Sequence, residues 1–251
     1  AFKLAEALSL PVMVCMDGFI LTHAYERVDM PTQAQVDAFL PPYEPRQVLD
    51  PNEPVSMGAM VGPEAFMEVR YLAHAKQMQA LELIPEMAKE FKAVFGRDTG
   101  GLTRTYRTDD AETIVVAMGS ILGTIKDVVD EMRDAGEKIG VLCITSFRPF
   151  PLEAVREALK NAKRVVVLEK SLAIGIGGIL ASDVRKALRK LSIDVYTVIA
   201  GLGGRAITMK SLHALFQKMK HEESESVTFL DLDWNVVNRQ LERERQKRRT
   251  G

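Results

Sequence analysis

The clearest pattern in this chain is Thr113-Ile-Val-Val-Ala-Met118-Gly119-Ser120, an apolar run that ends in a turn signal. Its apolar residues are consecutive and do not alternate with polar ones, which is typical of a strand covered on both faces. Gly119 and Ser120 end the run, and helical periodicity follows. The stretch therefore predicts a buried parallel strand over residues 113–118 and a helix over residues 121–135.

The same order of strand and helix recurs towards the C-terminus. Strands are predicted over residues 138–144, 164–168 and 193–200, and helices over residues 152–161, 178–190 and 210–218. Strands alternating with helices through short connections are typical of right-handed crossovers in a parallel sheet. We therefore expect an α/β fold, a three-layer sandwich with a mostly parallel sheet, complete between residues 105 and 222.

The N-terminal part has a different pattern. Residues 1–10 predict a helix, and Pro11-Val-Met-Val-Cys-Met16 predicts a short buried strand. Residues 27–63 hold most of the prolines, which exclude a long helix and predict an extended connection. Residues 64–95 carry a Met and Phe stripe at helical spacing, which is more typical of a buried helix face than of a cofactor site.

Composition limits the possible partners. A net charge of −1 gives no reason to expect nucleic acid or an anionic membrane surface. Cys15 and Cys143 lie far apart in apolar runs, which predicts buried free thiols in a reducing cytoplasm and no CxxC metal site. No apolar run has the length of a membrane span and no signal peptide is visible. The chain begins directly in a helical pattern without Met, so we expect a piece of a longer protein, or else a processed one.

A glycine-rich turn is the first candidate site. Gly175-Ile-Gly177-Gly178 follows the strand ending at Leu168 and precedes a helix, and helix N-termini bind phosphate. The spacing departs from GxGxxG, and no acidic residue stands at a strand end about 20 residues later. The turn thus predicts a phosphate loop for a nucleotide or coenzyme A, or simply close packing of strand and helix.

Other candidates stand where strands are expected to end. Asp17, Thr22 and His23 follow the first strand, and Arg148 and Arg205 follow two later strands. Ligands of open α/β sheets bind at such ends, so these side chains are candidate substrate, coenzyme or subunit contacts. Ser120 is a better candidate for a helix cap than for a nucleophile, because the spacing of the histidines does not match that of a known catalytic triad. No grouping of residues suits a metal, and no catalytic residue is assigned.

Several blocks in order resemble the 2-oxoacid:ferredoxin oxidoreductases, and within that family the alpha subunits that use pyruvate. The blocks are Asp17-Gly-Phe-Ile-Leu-Thr-His23, Phe91-Lys-Ala-Val-Phe-Gly-Arg97, Tyr106, Asp110-Ala-Glu112, Met118-Gly-Ser120, Gly136-Glu-Lys-Ile-Gly140, Phe147-Arg-Pro-Phe-Pro151 and Gly201-Leu-Gly-Gly-Arg205-Ala-Ile-Thr208. The resemblance extends from about residue 11 to 238, and it rests on the order of the blocks. Ala206 stands where the family usually has Asp, which weakens a subunit contact there.

The resemblance implies a division of the chain. Residues 1–26 would be the end of a thiamine-pyrimidine-binding domain, residues 27–104 a proline-rich and helical linker, residues 105–222 a transketolase C-terminal-like domain, and residues 223–251 an extension. That extension contains a charged helix, either solvated or a basic binding tail. The family's pyrimidine-activating glutamate and its substrate-contacting Thr and Arg have no counterpart here.

The resemblance also implies the reaction. The full enzyme converts pyruvate and coenzyme A into acetyl-CoA, CO2 and reduced ferredoxin, using thiamine diphosphate, magnesium and iron–sulfur clusters in the complete complex. Its partners would be beta, gamma and delta subunits, with a homodimer possible, in a cytoplasmic complex. Alone, this chain should bind none of these cofactors and be inactive. The alternatives are a standalone interaction module, a domain binding coenzyme A or a nucleotide, and another thiamine enzyme of transketolase type.

Overall fold

The computed structural model describes residues 1–18, 20–220 and 227–250. Phe19 of the first sequence block and His221 lie outside the described residues. The chain divides into two compact units. The first contains Ala1–Tyr106, Met118–Leu122 and Leu142–Ala158, and the second contains Arg107–Ala117, Gly123–Val141 and Leu159–Gly251.

Helices and strands alternate in the C-terminal half. In chain order the elements are α1 Phe2–Leu8, α2 Ile20–His23, α3 Gln33–Phe39, α4 Phe66–Phe95, β1 Thr103–Tyr106, β2 Thr113–Ala117, α5 Leu122–Asp134, β3 Ile139–Ile144, α6 Leu152–Leu159, β4 Arg164–Glu169, α7 Ile179–Leu188, β5 Asp194–Ile199, α8 Met209–Lys218, β6 Thr228–Phe229 and α9 Trp234–Thr250. The elements predicted between residues 113 and 218 are all present, with bounds that differ by at most two residues.

The strands form a six-stranded sheet in the order β1-β3-β2-β4-β5-β6. Strand β4 is parallel to both β2 and β5, and β5 is parallel to β6. Every residue of β3 is buried, as is all of β4 except Arg164. Successive residues of a strand point to opposite faces, so burial of all of them means that both faces are covered. This confirms the α/β class with a mostly parallel sheet.

In the first unit, aromatic side chains join α3 to α4. The Phe39 ring meets the Phe91 and Phe95 rings edge-on, with centroids 5.5 Å apart in each pair. The block around Phe91 thus has a packing role.

Helix α3 begins with a capping box, in which the Thr32 hydroxyl accepts a hydrogen bond from the Gln35 N–H and the Gln35 side chain accepts one from the Thr32 N–H.

Several local predictions were wrong. Residues 11–18 form no strand, and Met13, Val14 and Cys15 are exposed, so only Cys143 is a buried thiol. An apolar run becomes a strand only where a neighbouring strand pairs with its backbone groups, and none of the described residues does so here. Within the proline-rich connection the capping box produces α3, which was expected to be extended. Strand β1 was missed because it is short and largely polar.

Candidate functional site

In the first unit, the Asp17 carboxylate lies at the turn between β2 and α5. Its Oδ2 accepts a hydrogen bond of 2.7 Å from the Ser120 backbone N–H. Gly119 adopts φ 80°, and a Cβ at that position would be 3.1 Å from Asp17 Oδ2. A carboxylate near the start of a helix interacts favourably with the helix dipole. Asp17 therefore stabilises the turn that was expected to be capped by the Ser120 hydroxyl.

Thr22 and His23 lie at the end of the single-turn helix α2. The Thr22 Oγ1 is 3.3 Å from His23 Nδ1, and both residues are exposed. Their proximity to each other follows from their adjacent positions in the chain.

Arg148 lies in the Phe-Arg-Pro-Phe-Pro segment before α6. Its guanidinium carbon is 3.9 Å from the centroid of the Phe147 ring, and Nη1 donates a 2.8 Å hydrogen bond to the Phe147 carbonyl oxygen. The Phe147 and Phe150 rings meet edge-on with centroids 6.5 Å apart. These contacts hold an exposed cation in a defined orientation at the start of α6.

In the second unit, the N-terminus of α7 is occupied by a carboxylate of the protein itself. Glu169, the last residue of β4, is 3% exposed. Its side chain accepts hydrogen bonds from the backbone N–H groups of Ile179, Leu180 and Ala181, at 2.9, 2.8 and 3.0 Å. The Ser171 hydroxyl donates a fourth bond at 2.9 Å. A phosphate at this helix N-terminus would have to displace Glu169.

The glycine-rich turn makes room for this carboxylate. A Cβ on Gly178 would lie 2.0 Å from Glu169 Oε1, and one on Gly177 would lie 2.7 Å from the Val227 Cγ2. Gly175 and Gly177 have φ values of 85° and 111°, in the range that favours glycine. The geometry thus favours close packing of strand and helix, the alternative to a phosphate loop.

Sequence reasoning missed Glu169. The available signal was an acidic residue at the end of a strand that is apolar over residues 165–168, six positions before the first glycine of the turn. Buried carboxylates need hydrogen-bond donors, and the free N–H groups at a helix N-terminus supply them. The side chain of Glu169 therefore holds the connection from β4 to α7 by accepting these hydrogen bonds.

Arg205 borders a small apolar cavity at the carboxyl end of β5 and β6. Its Nη1 donates a hydrogen bond to the Asp231 carbonyl oxygen. The cavity has a volume of about 140 Å³ and is lined mainly by Ile199, Ala200, Leu202, Phe229, Leu230 and Leu232. Since the Arg205 bond joins a backbone carbonyl and not a carboxylate, it orders the arginine without neutralising its charge.

Within residues 1–18, 20–220 and 227–250, no three His, Cys, Asp or Glu side chains are grouped as metal ligands. Over the same part of the chain, no helix has the length and apolar character to cross a membrane.

Two family models match the chain in succession. Residues 1–89 match "Pyruvate flavodoxin/ferredoxin oxidoreductase, thiamine diP-bdg", and residues 111–212 match "Pyruvate:ferredoxin oxidoreductase core domain II". The chain belongs to the 2-oxoacid:ferredoxin oxidoreductase family. This confirms the resemblance drawn from the ordered sequence blocks.

Individual relatives agree with this membership. The chain is 45% identical over 92% of its length to pyruvate synthase subunit PorA of Methanosarcina barkeri, and 43% identical over 89% to PorA of Methanothermobacter thermautotrophicus. It is 34% identical over 95% of its length to ketoisovalerate oxidoreductase subunit VorA of Pyrococcus horikoshii. The matches cover 60%, 57% and 61% of these relatives, so the chain spans about three fifths of their length.

Proposed function

We propose that this chain is part of the alpha subunit of a pyruvate synthase. That enzyme would oxidatively decarboxylate pyruvate in the presence of coenzyme A, giving acetyl-CoA and CO2 and passing the electrons to ferredoxin. The observation that carries this proposal is the 45% identity to a PorA subunit over 92% of the chain.

Within that enzyme, the chain would contribute architecture and no catalytic side chain. Residues 1–26 would belong to the thiamine-pyrimidine-binding domain, residues 27–104 would connect it to a transketolase C-terminal-like domain at 105–222, and residues 223–251 would extend that domain. Thiamine diphosphate, magnesium, iron–sulfur clusters and coenzyme A would be held by other parts of a complex with beta, gamma and delta subunits. The complex would be cytoplasmic, and two copies of the chain could pair within it.

The substrate is tested with the purified complex that contains this chain. Reduction of a viologen dye is measured with coenzyme A and either pyruvate or 3-methyl-2-oxobutanoate. The second substrate is included because the VorA relative is a ketoisovalerate oxidoreductase subunit. A kcat/KM higher for pyruvate supports the proposal, and one higher for the branched substrate replaces it with the second candidate. Dye reduction by the 251-residue chain alone would contradict its non-catalytic role.

Standalone ligand binding through the glycine-rich turn is the competing function. The three N–H groups that a phosphate would use already donate to Glu169. Calorimetric titration of the chain with coenzyme A or ATP distinguishes this ligand-binding function from the proposed role in pyruvate synthase. Saturable binding that Gly177→Val abolishes would favour a ligand-binding module, whereas the proposal expects no heat of binding at this turn.

Arg148 is proposed as a contact for coenzyme A or a neighbouring subunit. The ring of Phe147 and its carbonyl oxygen hold the guanidinium in place, so it is pre-organised for an anion. In the complex, Arg148→Ala should raise KM for coenzyme A about tenfold or weaken subunit association equally. Arg156→Ala on α6 is the matched control and should change neither. Unchanged assembly and kinetics for Arg148→Ala would remove it from the site.

A further inference from the structure

Basic side chains surround a second cavity, at the opposite end of the parallel strands from Glu169. The cavity has a volume of about 340 Å³. Its charged lining, here called the basic pocket, consists of Lys138, Lys163, Arg164, Lys220, Glu112 and Glu137. Its size reaches the lower end of the range for ligand pockets, roughly 300–1,000 Å³.

Backbone hydrogen bonds fix the positions of four of these residues. The Lys163 and Arg164 N–H groups both donate to the Glu112 carbonyl oxygen, at 2.9 and 3.0 Å. The Glu112 N–H donates in turn to the Lys138 carbonyl oxygen at 2.8 Å. Because these bonds link the amino-terminal ends of β2, β3 and β4, the charges are held on the sheet and not on a loose loop.

Cations outnumber carboxylates in the basic pocket. Lys163 and Lys138 share one partner, Glu112, at 2.9 and 3.8 Å. Lys220 forms an ion pair with Glu137. With four cations and two carboxylates in its lining, the basic pocket has two more positive charges than negative ones.

Arg164 is not neutralised within this set. Its Nη1 donates to the Thr113 hydroxyl at 3.2 Å, and its guanidinium lies 5.9 Å from the centroid of the Tyr196 ring. Its Nε is buried and has no hydrogen-bond partner among residues 1–18, 20–220 and 227–250. A partly buried guanidinium whose contacts are all uncharged raises the positive potential of the cavity beside it.

We propose that the basic pocket binds a compact dianionic oxyanion, either inorganic phosphate or the phosphate end of a small phosphoester. Such a ligand carries the charge that the pocket lacks, and Lys138 and Lys163 supply ammonium donors to it. The pocket is at the amino-terminal edge of the strands, whereas ligands of open α/β sheets usually bind at the carboxyl edge. It is therefore a site separate from Glu169 and Arg205, which stand at the carboxyl ends of β4 and β5. The proposal does not depend on the reaction of the complex.

The test measures calorimetric binding of inorganic phosphate and of glycerol 3-phosphate to the purified protein, with ionic strength held constant by sodium chloride. We expect saturable binding of one phosphate per chain. Lys138→Gln combined with Lys163→Gln should weaken it about tenfold or more. The control, Lys186→Gln combined with Lys190→Gln, removes the same charge from exposed positions outside the basic pocket and should change affinity less than about twofold.

Glu112→Gln makes the test independent of folding defects. It removes a carboxylate that competes for Lys138 and Lys163, so it should strengthen phosphate binding severalfold, and damage to the fold would not produce such a gain. Tighter binding of glycerol 3-phosphate than of phosphate would identify a phosphoester as the ligand, and the reverse would identify the free anion. Absence of saturable binding, equal loss in both lysine pairs, or weaker binding by Glu112→Gln would overturn the proposal.

Discussion

Asp17 and Ser120 are 103 positions apart in the chain, yet the Asp17 carboxylate accepts a 2.7 Å hydrogen bond from the Ser120 backbone N–H. Through this bond the segment after α1 is fixed to the turn from which α5 begins. Two of the sequence blocks that identify the family, those containing Asp17-Gly18 and Gly119-Ser120, are thus in direct contact.

Loss of the Asp17 carboxylate should weaken that turn. Asp17→Ala is expected to lower the free energy of unfolding by about 1 kcal/mol, because the Ser120 N–H loses its acceptor and the start of α5 loses a nearby negative charge. The measurement is urea-induced unfolding followed by circular dichroism. Ser120→Ala retains the backbone N–H and should remain within about 0.5 kcal/mol of the parent protein. Equal losses in both variants would show that the bond contributes nothing.

Glu169 should be among the most sensitive polar positions in the second unit. The Glu169 carboxylate accepts four hydrogen bonds. Glu169→Gln replaces it with an amide, which has a single oxygen and turns its own NH2 group towards donors that need an acceptor. We expect a loss of about 3 kcal/mol in the free energy of unfolding. Glu153→Gln removes a carboxylate paired with Arg156 on the surface of α6 and should cost about 0.5 kcal/mol or less. Similar losses in the two variants would contradict the role given to Glu169.

Two glycine substitutions of the same size should act in opposite directions. Gly178→Ala should destabilise the protein by about 2 kcal/mol, because its Cβ would lie 2.0 Å from Glu169 Oε1 and 2.8 Å from the Thr197 Cγ2. Its backbone conformation, φ −76° and ψ 138°, is one that alanine adopts freely. Gly123→Ala in α5 meets nothing within 4 Å and should stabilise by about 0.5–1 kcal/mol. Thermal unfolding of both variants checks the difference in sign.

Acid should weaken a defined ion pair in the second unit. The pKa of Asp110 is lowered, first by its hydrogen bond from Arg133, whose Nη1 lies 2.7 Å from Asp110 Oδ1. A carboxyl whose pKa falls on folding contributes stability that is complete above its ordinary pKa of 3.8 and is lost as the pH falls through the lower, folded value. Asp110→Asn should therefore reduce the steepness of the acid limb of the stability curve.

The measurement is urea unfolding at a series of pH values between about 5 and about 3. Asp109→Asn removes the same charge one residue earlier and is the matched control. If Asp110→Asn does not flatten the acid limb more than Asp109→Asn does, the ion pair with Arg133 has no part in acid stability.

Periodicity alone was sufficient to predict the parallel α/β part. Consecutive apolar residues in β2, β3 and β4 require cover on both faces of the sheet. This requirement is the same whichever elements supply the cover. The same reasoning failed for residues 11–16, whose apolar character resembles that of a strand. Whether such a run forms a strand depends on a partner strand, and a partner's position is not encoded within the run itself.

The sequence by itself determined the class of fold, the order of its elements and, through the ordered blocks, the family. Only the tertiary structure decided which side chain accepts hydrogen bonds from the N–H groups at the start of α7 and which carboxylate holds the turn before α5. It also decided which lysines share one glutamate at the amino-terminal ends of the strands. Periodicity and turn signals are local properties of a few consecutive residues. A hydrogen bond or an excess of charge at one point in space depends on residues that meet only after the chain has folded.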